Sequence, residues 1–417
     1  MLGRYAELKA QLPPGTILFY QVGTFFETFE EDAKTVSREL SLRLTSREAA
    51  GEGRVPLAGV PGHALQEHVA ALLRKGHSVA IAEQRQHPTK PRQFTREITQ
   101  ILTPGTVIED NVLSAGRSNY LATFVVRDGK AGIAVAEAST GEFSGTVVPE
   151  AELPAELERW SPREVVVPER TAAEDLPRLE ARVSTAPRWT FEPSAGEQAL
   201  RQHFGVASLK GYGLDGSPQL VAAAGALIRY LSTLRGGSPP EQIVSFRRYD
   251  PGQAMLLDAA TRRNLGLEEL ISTVDRTRTP MGQRTLRRWL ERPLLEASRI
   301  NQRLEAVDAL FPDYMLREEV REHLGGIPDI ERIATRIVRL SASPGDLLAL
   351  RGALEALGPL RRALAPAAQR SELLRRALSA MEEPPGVREL IAEAISEEEG
   401  EIIRPGYSAE LDEARSF

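Results

Sequence analysis

The hydrophobic pattern changes character once along the 417 residues, and this change limits the possible folds more than any other feature. Up to about residue 245, short runs of β-branched and aromatic residues alternate with segments of helical spacing, a pattern typical of mixed α/β domains. From about Met255 onward the spacing is helical. A chain of this length is expected to form several domains. We expect three: mixed α/β domains at residues 1–118 and 119–244, then an all-α domain at residues 245–417.

Within the first domain the residues predict strands at 16–22, 78–82 and 98–103 and helices at 27–40 and 64–75, with a polar linker at 111–118. The second domain is expected to contain strands at 120–127, 132–138, 142–148 and 164–167 and helices at 150–160 and 219–234. Asp128 and Gly129 form a hairpin-turn signal between the first two of these strands. In the third domain, helical spacing places Ile300, Leu304, Val307 and Phe311 on one face, and residues 343–346 read as a capping box.

Composition excludes several classes of function. The absence of cysteine rules out disulfides, thiolate metal sites and cysteine nucleophiles. The N-terminal residues lack the apolar core of a signal peptide, and no apolar run approaches the roughly 20 residues of a membrane span. We therefore expect a cytoplasmic protein without a membrane partner.

One stretch of the chain is basic although the net charge of −6 argues against binding DNA by overall charge alone. Residues 73–96 carry a local charge of +5, because six cations oppose the single acid Glu83. A solvated surface loop is the alternative interpretation. The candidate phosphate contacts in this stretch are Arg74, Lys75, Arg85, Lys90, Arg92 and Arg96.

Several motifs, in a fixed order and spacing, carry a resemblance to a known family. They are GTFFETF (23–29), EDAK (31–34), PLAGVPGHA (56–64), GHSVAIAEQ (76–84), LTPGT (102–106), STGEF (139–143), LDAATRRNL (257–265), TPMGQR (279–284) and RRWL (287–290). Together they resemble the mismatch-binding, connector and core domains of the MutS family of DNA mismatch-repair proteins. The resemblance implies an α/β mismatch-binding domain, an RNase H-like α/β connector domain and a helical core/lever domain.

The resemblance implies specific roles for Phe25 and Glu27, which match the Phe-x-Glu motif of the family. The Phe of that motif wedges into the minor groove and stacks on a mispaired base, and the Glu hydrogen-bonds that base. Unstacking costs least where pairing is already poor, so an aromatic wedge can select a mismatch. A carboxyl whose pKa is raised could donate a proton to the base edge.

The residues alone also fit a different interpretation of the same motif. Phe25, Phe26 and Phe29 could all be core residues at a strand-to-helix junction, with Glu27 favouring the helix N-terminus. The resemblance favours the wedge role for Phe25 and leaves Phe26 and Phe29 in the core. The chain departs from the family pattern at Thr24 (usually Asp), Phe26 (usually Tyr) and Gly62 (commonly bulkier).

A nuclease and a protein-interaction scaffold are the alternatives to mismatch recognition. A nuclease would need several carboxylates holding two metal ions, and Asp128, Glu137 and Glu142 form no convincing cluster in the sequence. Histidines 63, 68, 77 and 87 suggest a metal site only weakly, because His63 and His68 are not at the i, i+4 spacing, and a mix of core and surface histidines is the favoured interpretation. A non-catalytic protein-interaction scaffold, or a fragment without autonomous DNA binding, is the alternative function.

The arginines near residues 262–288 are expected to pair with neighbouring acids rather than with DNA.

No phosphate-loop motif occurs in the sequence, so we expect this chain to be no ATPase and to hold no cofactor. The resemblance places the ATPase, with its ATP and Mg²⁺, in a part of the family's chain that follows the core domain. Residues 408–417 read as a helix start without a stop signal, so we expect a chain truncated before clamp and ATPase. The partners that the resemblance implies are mismatched double-stranded DNA, a second copy in a full-length homodimer and a repair protein of the MutL type.

Overall fold

The computed structural model describes residues 1–49, 53–87, 90–108, 113–172, 176–177, 180–398 and 401–416, except for the side chains of residues 49, 86–87 and 90–93. Contacts divide the chain into two units. Unit 1 comprises Met1–Ser114 and Ser118–Asp250, and unit 2 comprises Ala115–Arg117 and Pro251–Phe417. Unit 1 therefore contains both predicted α/β domains, and the boundaries near residues 118 and 244 stay predictions.

The first sheet of unit 1 has six strands in the order β3-β4-β2-β1-β5-β6. β1 runs parallel to β5, and the other neighbours are antiparallel. The strands are β1 (Thr16–Val22), β2 (Phe25–Phe29), β3 (Thr45–Ala49), β4 (Gly53–Pro61), β5 (Ser78–His87) and β6 (Lys90–Leu102).

Two helices pack on one face of this sheet and one on the other. They are α2 (Glu30–Leu40) and α3 (Leu65–Arg74) on the first face and α1 (Leu2–Ala10) on the second. Apolar residues of α2 and α3 pack on one face in a core that includes Phe26. The opposite face packs against α1 in a core that includes Tyr20 and Phe29. Asp32 holds α1 in place, since it accepts hydrogen bonds from the Tyr5 hydroxyl (2.7 Å) and the Lys9 ammonium (2.6 Å). α1 is nine residues long and leaves Phe25 of that face exposed.

The second sheet of unit 1 has the order β11-β10-β7-β8-β9-β12. β7, β8 and β9 form an antiparallel meander, and β10, β11 and β12 each pair in parallel with a neighbour. Asp128 and Gly129 both adopt positive φ between β7 and β8, as a two-residue hairpin turn requires. The strands are β7 (Tyr120–Arg127), β8 (Lys130–Glu137), β9 (Glu142–Pro149), β10 (Glu164–Pro168), β11 (Arg182–Ala186) and β12 (Arg247–Arg248).

Helix α6 packs very closely against the second sheet and a neighbouring helix. A Cβ atom on Gly132 of β8 would lie 2.3 Å from the α6 backbone, and one on Gly225 of α6 would lie 2.2 Å from the Cα of Gly196 in α5. A side chain at either position would overlap the facing backbone. Glycine at these two positions therefore allows the close packing of α6. The helices are α4 (Leu153–Trp160), α5 (Pro193–Phe204) and α6 (Pro218–Leu234).

The segment that leaves the first sheet is tied to the second sheet by a buried carboxylate. Glu164 of β10 accepts hydrogen bonds from the Gly105 amide (2.9 Å) and the Tyr230 hydroxyl (2.6 Å). The Asn119 side chain donates to the Pro104 carbonyl at 2.8 Å. Because these groups are buried, their hydrogen bonds offset the cost of removing them from water.

The described part of unit 2 outside residues 115–117 is helical apart from turns and short bridges. Its main core lies around α13 and includes Ala309, Val320 and Leu360. The helices are α7 (Ala259–Asn264), α8 (Leu267–Val274), α9 (Pro280–Glu291), α10 (Ala297–Leu310), α11 (Tyr314–Gly325), α12 (Ile330–Val338), α13 (Pro344–Ala368), α14 (Glu372–Ala380), α15 (Val387–Ala394) and α16 (Ala409–Arg415).

Residues 115–117 join unit 2 through two buried arginines. Arg284 donates to the Ala115 carbonyl at 3.0 Å and forms ion pairs with Asp329 and Glu331, both at 2.6 Å. Arg332 donates to the carbonyl of Arg117 at 3.3 Å. None of the helices in the described ranges combines the length and apolar character that a bilayer span requires.

The predicted fold class is confirmed, because two mixed α/β parts precede a helical part. The helix predicted from residue 27 is wrong at its start, since residues 25–29 form β2 and α2 begins at Glu30. The capping box at Ser343 and Asp346 is present. The apolar face of α10 does not enter the core as its spacing suggests, because Leu304, Val307 and neighbouring apolar side chains are exposed.

Candidate nucleic-acid interface

A tight turn between β1 and β2 presents Phe25 at the end of the first sheet. Gly23 adopts the left-handed conformation (φ 62°) that this turn needs. The amide of Gly62 donates to the Thr24 carbonyl at 2.8 Å, and a Cβ on Gly62 would lie 3.2 Å from that oxygen. The glycine at position 62 therefore fits the close approach of the turn.

The three phenylalanines of the motif occupy different environments. Phe25 is 49% exposed, whereas Phe26 is 7% exposed and Phe29 is fully buried. Because side chains alternate along β2, Phe26 enters the core under α2 and α3 while Phe25 points to the other face. The interpretation of all three as core residues fails for Phe25, which is free to contact a ligand.

Glu27 lies on the same face as Phe25, two residues further along β2. Its carboxylate is mostly covered, with 17% of the side chain exposed, and its Oε2 lies 3.4 Å from Nη1 of Arg47 on β3. Burial raises the pKa of Glu27, and the positive charge of Arg47 opposes that rise. The carboxyl is thus closer to protonation than an ordinary surface glutamate.

Arg96 and Arg4 lie on the opposite side of Phe25 and Glu27 from Arg47. The guanidinium of Arg96 lies over the Tyr20 ring, 5.5 Å from its centroid, and donates to the Gln84 side chain at 3.0 Å. Arg4 of α1 donates to the Arg96 carbonyl at 3.3 Å. Together with Arg47, these residues place positive charge on both sides of Phe25 and Glu27. The basic stretch of the sequence contains Arg96, whereas Arg4 and Arg47 lie outside it and were not predicted.

The β5–β6 hairpin extends beyond the end of β1. β1 pairs with β5 as far as Ala82, whereas β5 continues to His87. Phe94 on this hairpin is 51% exposed, and it shares a hairpin face with Arg96, two residues away. The register therefore gives the Phe25 face a second exposed phenylalanine, which was not predicted from the sequence.

The structure does not bring all the predicted phosphate contacts together. Arg74 and Lys75 precede β5 beside the start of β1, so about 20 Å of strand separates that end of the sheet from Phe25. Lys75 also donates to the backbone oxygen of Glu39. Arg85 is exposed on the opposite face of the hairpin from Arg96. The side chains of Lys90 and Arg92 lie outside the described residues.

Two of the three carboxylates that a nuclease would need, Glu137 and Glu142, form structural hydrogen bonds. Glu137 accepts from the Asn119 amide at 3.1 Å, and Glu142 accepts from the Tyr120 hydroxyl at 3.2 Å. Asp128 lies in the β7–β8 turn. No group of three or more His, Asp or Glu side chains with a metal-binding arrangement is present in the parts of the chain that the structure describes.

The arginine cluster of unit 2 forms ion pairs, though not always with the expected acids. Arg287 pairs with Glu268 at 2.7 Å, as the sequence suggested. Arg284 instead reaches Asp329 and Glu331, which are distant in sequence. Pairing across helices cannot be read from local spacing, which explains this difference.

Comparison with protein families gives three matches that cover most of the chain. Residues 1–111 match the model described as MutS domain I, and residues 119–241 match MutS domain II. Residues 260–411 match MutS domain III. Phe25, Glu27, Arg47 and Phe94 all lie within the first of these ranges.

Curated relatives match along the whole chain. A DNA mismatch repair protein MutS of Symbiobacterium thermophilum is 38% identical over 100% of this chain and 50% of its own length. The protein of the same name from Thermosynechococcus vestitus is 38% identical over 100% of this chain and 51% of its own. The protein of the same name from Anaeromyxobacter sp. is 39% identical over 99% of this chain and 48% of its own length. The chain spans about half the length of the curated relatives it matches.

Proposed function

Because the chain belongs to the MutS family, we propose that it takes part in DNA mismatch repair by binding duplex DNA and probing for mispaired bases with Phe25 and Glu27. The curated relatives carry the name of a DNA mismatch repair protein, which supports the general role. The observation that carries the specific mechanism is the 49% exposure of Phe25, next to the buried Phe26, where the β1–β2 turn enters β2.

The chemistry of the Phe25 face supports this role. An exposed phenylalanine can enter the minor groove and stack on a base, and the cost is lowest at a poorly paired, deformable step. Glu27 lies beside it and can accept from a base edge, or donate to it when protonated. Arg4, Arg47 and Arg96 surround the pair and would hold the phosphate backbone without reading sequence.

The further partners are also proposals. As for the family, we propose a homodimer and a MutL-type partner for the full-length protein, with ATP and Mg²⁺ bound in a domain outside the sequence described. We propose that this chain itself is not an enzyme, since its sequence contains no phosphate loop.

The test is the ratio of affinities for a duplex with one G·T mismatch and for the same duplex fully paired. Base–aromatic stacking contributes about 1–3 kcal/mol, so Phe25→Ala should reduce the mismatch preference by about 5- to 150-fold. Phe311→Ala removes an exposed phenylalanine from unit 2 and serves as the control. An unchanged ratio in Phe25→Ala would show that the wedge assignment is wrong. A chain that binds no duplex would favour a protein-interaction scaffold.

A further inference from the structure

The ion pair between Glu27 and Arg47 joins two groups of unequal exposure. Glu27 is held on an inner strand with 17% of its side chain exposed, whereas Arg47 lies on the edge strand β3 with 48% exposed. The two strands are separated by β4. A long arginine side chain on an edge strand can swing away at little cost, while the carboxylate cannot follow it.

Among the described residues, Arg47 is the cation that acts on Glu27. From β1, the group opposite Glu27 is Tyr20, whose pKa is raised by burial so that it stays neutral. From β4, the opposite residue is Gly59, which carries no charge. Arg4 and Arg96 act on Tyr20 rather than on Glu27. Removing Arg47 would therefore leave Glu27 half-buried and without a counter-ion.

We propose that Arg47 is a positioning residue that keeps Glu27 ionised in the free protein and releases it when a DNA backbone phosphate takes over the guanidinium. This inference rests on the proposed function, since the phosphate is that of the bound duplex. A guanidinium binds phosphate and carboxylate in the same planar geometry, so the two anions compete for it. The more exposed partner moves to the incoming phosphate.

The consequence for Glu27 is a proton taken from solvent. A desolvated carboxylate that loses its cation, and gains phosphates nearby, favours its neutral form. One carboxylate oxygen then carries a hydrogen and can donate it to an acceptor on a base edge. Contact between Arg47 and the DNA phosphate backbone thus prepares Glu27 to probe a base. This preparation is expected on paired and mispaired duplexes alike.

The first experiment needs no DNA. Carbon-detected NMR of the Glu27 carboxyl as a function of pH should show a higher pKa in Arg47→Met than in the wild type. Arg38→Met is the matched control, because it removes an exposed arginine that pairs with Glu39 at 3.1 Å on α2. This control should leave Glu27 unchanged. An identical Glu27 titration in the wild type and Arg47→Met would overturn the inference.

The second experiment measures proton uptake when a fully paired duplex binds. Calorimetric titrations in buffers of different ionisation enthalpy give this number, at a pH just above the free-state pKa of Glu27. The wild type should take up as much as one proton, Glu27→Gln none, and Arg47→Met less than the wild type. Equal uptake in the wild type and Glu27→Gln would overturn the inference.

These results also separate the inference from the proposed function. Uptake on the paired duplex that depends on Glu27 and Arg47, without any preference for G·T, would support the exchange and contradict mismatch probing. A preference for G·T without proton uptake would support the proposed function and overturn the exchange. A chain that binds no duplex would overturn both.

Discussion

Phe25 and Phe26 are adjacent in sequence, yet their contributions to stability should differ strongly. Removing a buried phenylalanine costs about 3–5 kcal/mol, whereas an exposed one typically changes stability by less than about 0.5 kcal/mol. Urea denaturation should therefore show a large loss of unfolding free energy for Phe26→Ala and almost none for Phe25→Ala. Equal losses in both variants would mean that Phe25 packs in the core.

The Glu27 carboxyl makes the stability of unit 1 depend on pH. Its pKa in the folded chain is raised by burial, so the folded state holds the proton more tightly than the unfolded state does. Stability should then fall as pH rises from about 4.3, the ordinary glutamate value, through the folded pKa. Glu27→Gln removes this cost and should melt above the wild type at neutral pH, with the difference vanishing near pH ~4.

Thermal melts of both proteins across this pH range provide the check. Glu31→Gln, which changes an exposed acid on α2, is the control and should follow the wild type. A Glu27→Gln variant that melts below the wild type at neutral pH would show that the ion pair with Arg47 outweighs burial.

The sequence predicted the chemistry of the candidate site better than its geometry. Phe25, Glu27 and Arg96 could be singled out from motifs and local charge. Arg47 could not, because its closeness to Glu27 depends on the register of β3 and β4. Proline disfavours strand assignment, and β4 contains Pro56 and Pro61, which explains why this strand was not predicted.

At the scale of elements, the β5–β6 hairpin should contribute affinity without selectivity. Phe94 is exposed on β6, and β5 lies between this strand and β1, so we expect it to contact sugar or the groove wall rather than the probed base. Burying about half of a phenyl ring contributes about 1 kcal/mol. Phe94→Ala should thus weaken binding to paired and mismatched duplexes about fivefold each, as measured by fluorescence anisotropy.

Val126→Ala is the control for this measurement, because it shortens an exposed apolar side chain on β7 of the second sheet. A change in the ratio of the two affinities in Phe94→Ala would place Phe94 at the mismatch itself. Unchanged affinity for both duplexes would remove the hairpin from the interface.

The position of the charges on the first sheet predicts which of them meet phosphates. Each phosphate contact contributes close to one unit to the slope of log affinity against log salt. The double variant Arg4→Ala/Arg47→Ala should reduce this slope by about two units. Arg74→Ala/Lys75→Ala should leave it unchanged, since those residues lie at the other end of the sheet. Equal losses in the two double variants would contradict the proposed orientation of DNA.

Helix α10 shows what periodicity can and cannot predict. The spacing of Ile300, Leu304, Val307 and Phe311 correctly predicted a helix, since one face of a helix repeats every three to four residues. The same spacing does not specify what covers that face. The residues of α10 that are buried are the small ones, Ala306 and Ala309.

At the scale of the whole molecule, we expect the two units to unfold in separate steps. The stability of unit 1 should depend on the close contact between Gly225 and Gly196. Gly225→Ala would place a methyl group against Gly196, and overpacking costs about 1–3 kcal/mol. Scanning calorimetry should show two transitions, one of which moves down by about 2–12 °C in this variant.

Gly352→Ala is the matched control, since it also lies within a helix but has open space around its Cα. It should leave the unit 1 transition in place, because Gly352 belongs to unit 2. A single transition that shifts in both variants would mean that the units unfold together.

The fold class was predictable because it depends on the period of the hydrophobic pattern, which the sequence displays directly. The grouping of both sheets into unit 1 was not predictable. It depends on contacts such as that of Glu164 with Gly105, in which a buried acid accepts from a backbone amide 59 residues away in sequence. A lone glutamate in an apolar strand gives no indication of its acceptor role.

Residues 115–117 have a consequence for how the chain folds as it is synthesised. They emerge from the ribosome between the two sheets of unit 1, yet their partners Glu268, Arg284 and Arg332 belong to helices made much later. Until those helices exist, this segment has no place to bind. A fragment of unit 2 beginning at residue 251 would thus lack the carbonyls of Ala115 and Arg117, to which the buried Arg284 and Arg332 donate.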